Sequence, residues 1–430
     1  MKNRKLYMQI YDYYKNLIED GKLTEGMKLP SIRRCAEERN VSKTTVESAF
    51  MCLCDDGYIM PKSQSGYYVS KRGGNPKTLT VKEPQKDQEN DIIYDFSSSG
   101  VDSESFNMDI WRRYVKSALR QTEKLLFYGE PQGESELRSE IAKYVQESRN
   151  CVCNEENIII GAGVQALLNI LCPLIKNRKS VCFDDENYKQ GMAIFKDYGY
   201  KVSSKEKSSI LYVSPSYSSK TGDTMNVQER FALVEFARKN NKLIIEDDYG
   251  SEFRYFNRPT PSLQGLDGGE NVVYLGTFSK LLLPSIRISF MILPDSFLSE
   301  YKRKRELYNQ TVSKVDQIAL CSYIRDGHLN SQIRKSRKLY MQKSRILSDL
   351  LLQKFGKKIR IIKSDSPLYV RCVFDLGLST EEVVKRLLKN RISVINSGEC
   401  GEVVLSVSSV SITSLDKATD TMKTLLDVCQ

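Results

Sequence analysis

Histidine is almost missing from this chain: His328 is the only one in 430 residues. A Ser-His-Asp relay or a His-ligated metal has one candidate imidazole at most, so both chemistries become poor explanations. Cysteine gives no framework either. There are 11, an odd number scattered through the chain, and the C-x-C pairs Cys52/Cys54 and Cys151/Cys153 have no histidine near them. Reduced thiols are expected rather than a disulfide or zinc scaffold. No apolar run reaches the ~18 residues that a bilayer span needs. The basic start Met1-Lys2-Asn3-Arg4-Lys5 is not followed by the apolar core of a signal peptide. A cytoplasmic protein is expected.

What is present is an ordinary globular composition, 40% hydrophobic and 28% charged, in a chain long enough for two or three domains. The net charge of +11 permits a nucleic-acid partner without requiring one. The surplus is concentrated: residues 301–345 hold twelve Lys/Arg and three Asp/Glu. That stretch, with His328 inside it, reads as a solvated helical face. The minority reading is a set of non-specific phosphate contacts.

Residues 1–70 form the first unit. Tyr7, Ile10, Tyr14, Leu17 and Ile18 recur at helical spacing. Ser31 suits the N-cap of a short helix through Arg39, Asn40-Val41 the turn, and Ser42 the cap of a further helix with Val46, Ala49, Phe50 and Leu53 inward. Two β-prone pieces, 58–60 and 67–69, follow on either side of a polar tip. This order is that of a helix-turn-helix with a wing. The second helix of such a unit enters the major groove with its N-terminal residues toward the bases. Ser42, Lys43, Thr44 and Thr45 open it with short hydroxyls and one cation. The bland alternative is a small helical accessory domain.

Residues 71–91, with Gly73-Gly74, Pro76 and Pro84, read as a flexible linker. Residues 92–430 alternate strand-like runs, at 157–160, 210–213, 242–245 and 271–275, with helical patterns. That indicates an α/β domain with a mainly parallel sheet. Three of the runs lead into polar clusters: Gly161-Ala162-Gly163-Val164-Gln165, Glu246-Asp247-Asp248-Tyr249 and Gly276-Thr277-Phe278-Ser279-Lys280. Ligands of open α/β sheets sit beyond the carboxyl ends of strands. A glycine turn into a helix is an anion site or equally a structural turn. Together with carboxylates, hydroxyls and a lysine, it points to a phosphorylated ligand with a reactive carbonyl.

Two resemblances sharpen this. Leu29-Pro30-Ser31-Ile32-Arg33-Arg34, Val41-Ser42-Lys43-Thr44-Thr45-Val46 and Gly66-Tyr67-Tyr68-Val69 resemble the winged helix-turn-helix of GntR-family regulators. The resemblance implies that Arg33, Ser42, Lys43, Thr44, Thr45 and Gly66 touch promoter DNA. Glu47 stands where some members carry a basic contact. Tyr128-Gly129-Glu130-Pro131-Gln132-Gly133, Glu246-Asp247-Asp248-Tyr249-Gly250-Ser251-Glu252-Phe253-Arg254-Tyr255 and Gly276-Thr277-Phe278-Ser279-Lys280 with Arg287 resemble the fold-type-I aminotransferase domain of the MocR subfamily.

This second resemblance implies a pyridoxal 5′-phosphate (PLP) cofactor. Lys280 is then the Schiff-base lysine, Asp247 the pyridine-nitrogen partner, Tyr249 a donor to the ring oxygen and Tyr188 the stacking aromatic. The phosphate falls to the Val164 and Gln165 amides and to Thr277, Ser279 and Arg287. Tyr128 reaches the phosphate held by a partner subunit in a homodimer. Two departures stand out. Tyr217-Ser218 replaces the usual His-Gln, with Lys220 in place of Pro, and Val404 occupies the position of the arginine that clamps a substrate carboxylate. Loss of such a charge-assisted pair costs a carboxylate ligand about 2–4 kcal/mol. The reading is a PLP-dependent transcription regulator that senses PLP or an amine or amino-acid effector through Lys280. The alternative is an active aminotransferase with an appended DNA-binding head.

Overall fold

The computed structural model describes residues 6–63, 65–71, 92–97, 100–102, 104–185, 188–216, 224–255, 260–362, 364–396 and 402–427. The expected linker, Lys71 apart, and the altered loop at 217–222 lie outside the described residues. Contacts divide the chain into two units, Met1–Glu89 and Asn90–Gln430.

The first unit has helices Leu6–Glu19, Ile32–Arg39 and Lys43–Asp55, then a hairpin of Ile59–Lys62 and Gly66–Val69. Each short helix starts where a serine can satisfy an orphan amide. Ser31 Oγ accepts from Arg34 N at 3.2 Å, and Ser42 Oγ accepts from Thr45 N at 3.2 Å. Between them Asn40 takes the left-handed conformation at φ 51°, which turns the chain. Ile10, Tyr14, Ile18, Val46, Ala49, Phe50 and Leu53 fill the core. Phe50 packs edge-on against Tyr14 and Tyr67, with centroids 5.5 and 5.2 Å away.

The wing differs from its expected limits. Its first strand runs on through Pro61 and Lys62, and Lys62 pairs with Gly66. A two-stranded edge tolerates proline, because the missing N–H need not face a partner.

The second unit is built on a seven-stranded sheet. Its spatial order is Ile158–Gly161, Ser289–Ile292, Val272–Thr277, Leu243–Asp248, Ile210–Val213, Ser180–Phe183 and Lys201–Val202. All neighbours are parallel except Ser289–Ile292, which is antiparallel to both its neighbours. Two of the strands are longer than expected. Leu243–Asp248 contains Glu246, Asp247 and Asp248, and Val272–Thr277 contains Gly276 and Thr277. The polar clusters are therefore the last rungs of the ladder, not loops. Gly276 is required there by close approach, since a Cβ would overlap the Phe290 ring.

A second, antiparallel sheet pairs Ile359–Ile362, Tyr369–Phe374, Glu402–Ser406 and Ile395–Asn396. The 28-residue helix His328–Phe355 carries much of the basic stretch. His328 itself is half-buried, with its ring centroid 5.5 Å from Tyr114 and 5.4 Å from Tyr323, so it packs rather than merely facing solvent. Among the described residues no helix is long and apolar enough to cross a membrane.

Phe50 is fully buried. Phe50→Ala should destabilise the first unit by about 3–5 kcal/mol. Denaturant unfolding followed by circular dichroism should show an early transition, while the larger unit unfolds at its wild-type midpoint.

Candidate functional site

In the first unit, Ser42, Lys43, Thr44 and Ser48 are exposed along one face of the helix Lys43–Asp55. Glu47 is exposed on the same helix. Ser42 Oγ lies 2.8 Å from Thr44 Oγ1 and 2.7 Å from Thr45 Oγ1, so these hydroxyls order one another. Arg33 is exposed and pairs with Glu37 at 3.4 Å. An exposed pair of this kind is worth little and is readily exchanged for a phosphate.

Gly66 closes the wing at φ 101°. Sequence reading missed Lys28. It bridges to Tyr68 across the wing, and Lys28 Nζ and Lys62 Nζ lie 5.8 and 4.5 Å from the Tyr68 ring centroid. Lys28 reaches the wing through a tertiary pairing that no local pattern encodes.

The larger site gathers at the carboxyl ends of the parallel strands. Side chains alternate along a strand, and Glu246-Asp247-Asp248 uses that alternation to divide three carboxylates. Glu246 and Asp248 point one way, into a buried polar network. Arg149 Nε lies 2.7 Å from Asp248 Oδ2. Ser216, Ser251 and Tyr274 donate to Asp248 at 2.5, 2.9 and 2.5 Å. Burial pushes Asp248 up, but Arg149 and these hydroxyls outweigh it and hold the carboxyl below its usual range. Glu246 accepts from Gln264 N at 3.0 Å and faces Arg230 at 3.8 Å.

Asp247 points the other way. It accepts from Tyr212 OH at 2.6 Å. Burial raises its carboxyl to about 6, a rise that the Tyr212 donor limits. Tyr212 is fully buried, with the half-buried Tyr188 ring 5.4 Å away and tilted by 30°. Gly191 makes room for Tyr188, since a Cβ there would overlap its ring. Tyr249 is half-buried, and its N–H donates to Asp247 O at 3.1 Å.

On the neighbouring strand, Thr277 Oγ1 accepts from Ser279 N at 3.2 Å and from Ser289 Oγ at 2.9 Å. Ser279 Oγ is buried with no hydrogen-bond partner among the described residues. Lys280 is 3% exposed and donates to Gly100 O at 3.3 Å. Desolvation pushes its amine down to about 8.

The helix Val164–Leu174 opens at Gly163 with no side-chain cap, so the Val164 and Gln165 amides suit an anion. The Arg287 guanidinium lies over Gly163, where a Cβ would collide with Nη2. Arg287 itself holds a strained φ of 54°. Tyr128 is not brought to this site: it is fully exposed at 104%, beside the exposed Leu126 and Phe127. Val404 is buried and stands opposite Arg371, whose Nη2 and Nε lie 2.7 and 2.8 Å from Glu402 Oε1. The arginine beside Val404 is thus already committed to a buried carboxylate.

Sequence reading missed Arg149 and Tyr212. No motif flagged either, because both reach their carboxylates only through the fold.

Removal of Arg149 leaves Asp248 buried without its counter-charge, so Arg149→Met should cost about 3–5 kcal/mol near neutral pH. A carboxyl held low stabilises the fold above its unfolded pKa and loses that contribution as pH falls through the folded value. The difference in urea midpoint between wild type and Arg149→Met should therefore shrink below about pH 4.

Comparison with known proteins adds the following. Residues 95–420 match the family described as aminotransferase class I and II, and residues 6–69 match the gntR family of bacterial regulatory proteins. The HTH-type transcriptional regulator YdeL of Bacillus subtilis is 36% identical over 410 residues, covering 90% of this chain and 88% of that protein. The probable rhizopine catabolism regulatory protein MocR of Rhizobium meliloti is 26% identical, covering 87% of this chain and 83% of its own length. Among solved structures, the kynurenine aminotransferase of Pyrococcus horikoshii superposes with a TM-score of 0.66 at 21% identity. The match covers 78% of this chain and 90% of that one, a likeness of fold.

Proposed function

The chain belongs to the MocR subfamily of GntR-family transcription regulators, and from that premise we propose that it reports PLP or an amine effector to DNA through the state of Lys280. It is a PLP-binding transcription regulator with a DNA-binding head. The observation that carries the proposal is the burial of the Lys280 amine, at 3% exposure, among groups suited to a phosphorylated pyridine aldehyde. The residues fit that cofactor on physical grounds. Among the described residues the buried Ser279 Oγ has no partner, and the Arg287 guanidinium covers the glycine turn that precedes a helix without a side-chain cap.

When bound, PLP supplies an electrophilic carbonyl and an electron-withdrawing ring. In this reading Lys280 is its covalent anchor and Asp247 faces the pyridine nitrogen. Tyr249 serves the ring oxygen, and Tyr188 stacks on the ring. The Val164 and Gln165 amides, Thr277, Ser279 and Arg287 hold the phosphate. A lysine whose amine is pushed down to about 8 keeps a usable fraction of neutral, nucleophilic amine at physiological pH.

A change at Lys280 has a route outward. Its Nζ–H engages the Gly100 carbonyl, and Asp102, two residues on, forms a buried ion pair with Lys343 on the helix His328–Phe355. Anchoring Lys280 withdraws that donor from Gly100 and alters what holds the segment to the helix.

A sensor is favoured over a working transaminase by one specific feature. The resemblance puts Val404 at the carboxylate-clamp position, and the adjacent Arg371 is bound to Glu402. A second copy of the chain covers the exposed Leu126-Phe127-Tyr128 run, bringing Tyr128 to the partner's phosphate. A DNA-binding head suits a protein that works in the cytoplasm.

Purified protein reconstituted with PLP should absorb in the visible, and Lys280→Ala should lose that band. A colourless wild type contradicts the anchor. The rate of PLP capture should rise with pH and level off above about 8, because only the neutral amine attacks. A panel of amino donors should give no sustained turnover, and multiple turnover would favour the enzyme reading. Arg33→Ala combined with Thr44→Ala should remove promoter-specific retardation at moderate salt, since each hydrogen-bonded match to a base edge is worth about 1–3 kcal/mol of discrimination. Unchanged specific binding refutes this recognition surface.

A further inference from the structure

We propose that Tyr212 is a positioning residue that keeps Asp247 ionised and couples it to the Tyr188 ring, so that the carboxylate and the stacking aromatic behave as one unit. The inference rests on the reading that Asp247 faces the cofactor ring.

The geometry is specific. Tyr212 ends in a hydroxyl that donates to Asp247 Oδ2 at 2.6 Å. Its ring packs against Phe183, 5.0 Å away and tilted by 31°, and against Tyr188, 5.4 Å away and tilted by 30°. The Tyr188 and Tyr212 rings therefore move together as packed neighbours.

The other groups facing Asp247 work against its ionisation. Burial raises it, and the charges of Asp248, next in the strand, and Asp184, just past the end of Ser180–Phe183 two strands away, raise it further. Arg149 serves Asp248 on the opposite face of the strand. The hydroxyl of Tyr212 is what holds the carboxyl down. A neutral Asp247 would be a poor partner for a protonated pyridine nitrogen, because the charge attraction would be gone.

The test uses the apo-protein first. The Asp247 carboxyl is followed by carbon-13 NMR in aspartate-labelled full-length chain and assigned with Asp247→Asn. Tyr212→Phe should move its titration midpoint up by about one pH unit or more. Replacing Tyr212 with 3-fluorotyrosine, a stronger donor of the same shape, should move it down. The fluorinated variant carries the test if Tyr212→Phe fails to fold. PLP affinity, read by fluorescence quenching, should fall about twofold at pH 7 and about tenfold at pH 5 in Tyr212→Phe, because a midpoint moved from about 6 to about 7 lowers the ionised fraction by those factors. It should recover as pH is raised. Midpoints equal to wild type in both variants overturn the proposal and leave Tyr212 as packing. Midpoints that move while PLP affinity stays flat with pH overturn instead the role of Asp247 toward the cofactor.

Discussion

The buried pair between Arg149 and Asp248 is the constraint on which the larger site depends. It lies at the end of a parallel strand, where a carboxylate and a guanidinium are both removed from water. Such a pair adds little net stability compared with apolar packing, but it is costly to break. Its value here is positional. With Asp248 and Glu246 fixed on one face, strand geometry sends Asp247 to the other. A shift of one residue in register would exchange the buried ion-pair partner for the site carboxylate.

The rest of the site follows from the same ladder. Asp247 stands opposite Leu275, two residues before Thr277, and Thr277 stands opposite Ser289. Adjacent strand ends thus bring together a carboxylate, a cluster of hydroxyls and a buried lysine. The glycine-led helix at Val164 follows the strand on the far side of Ser289–Ile292. The long helix holds the Gly100 segment against Lys280 through the Asp102–Lys343 pair. What a sensor needs, a reactive group mechanically joined to the scaffold, is present in this chain's own contacts.

Much of this was legible in the sequence, for local reasons. Ser31 and Ser42 announce their helices because capping is a short-range interaction, and the apolar spacing of Val46, Ala49, Phe50 and Leu53 marks the inward face of a helix. The recurrence of polar residues after β-prone runs pointed to the carboxyl ends of the strands, where the structure gathers Asp247, Thr277 and Lys280. Strand limits were harder to read. Asp and Glu are poor strand formers, so Glu246, Asp247 and Asp248 read as a loop, yet pairing with both neighbouring strands overrides that preference. Arg149 and Tyr212 were invisible for a different reason. One lies 99 residues from its carboxylate and the other 35, and only the fold brings them there.

The central claim is that PLP and DNA are linked through one protein. Linkage is reciprocal: if the cofactor changes DNA affinity, DNA must change cofactor affinity by the same factor. The direct measurement is the PLP affinity of the full-length protein with and without a saturating fragment of its own upstream region. The expected result is a change of about 5–150-fold, absent in the Arg33→Ala, Thr44→Ala double variant. Identical PLP affinity with and without bound DNA would contradict it.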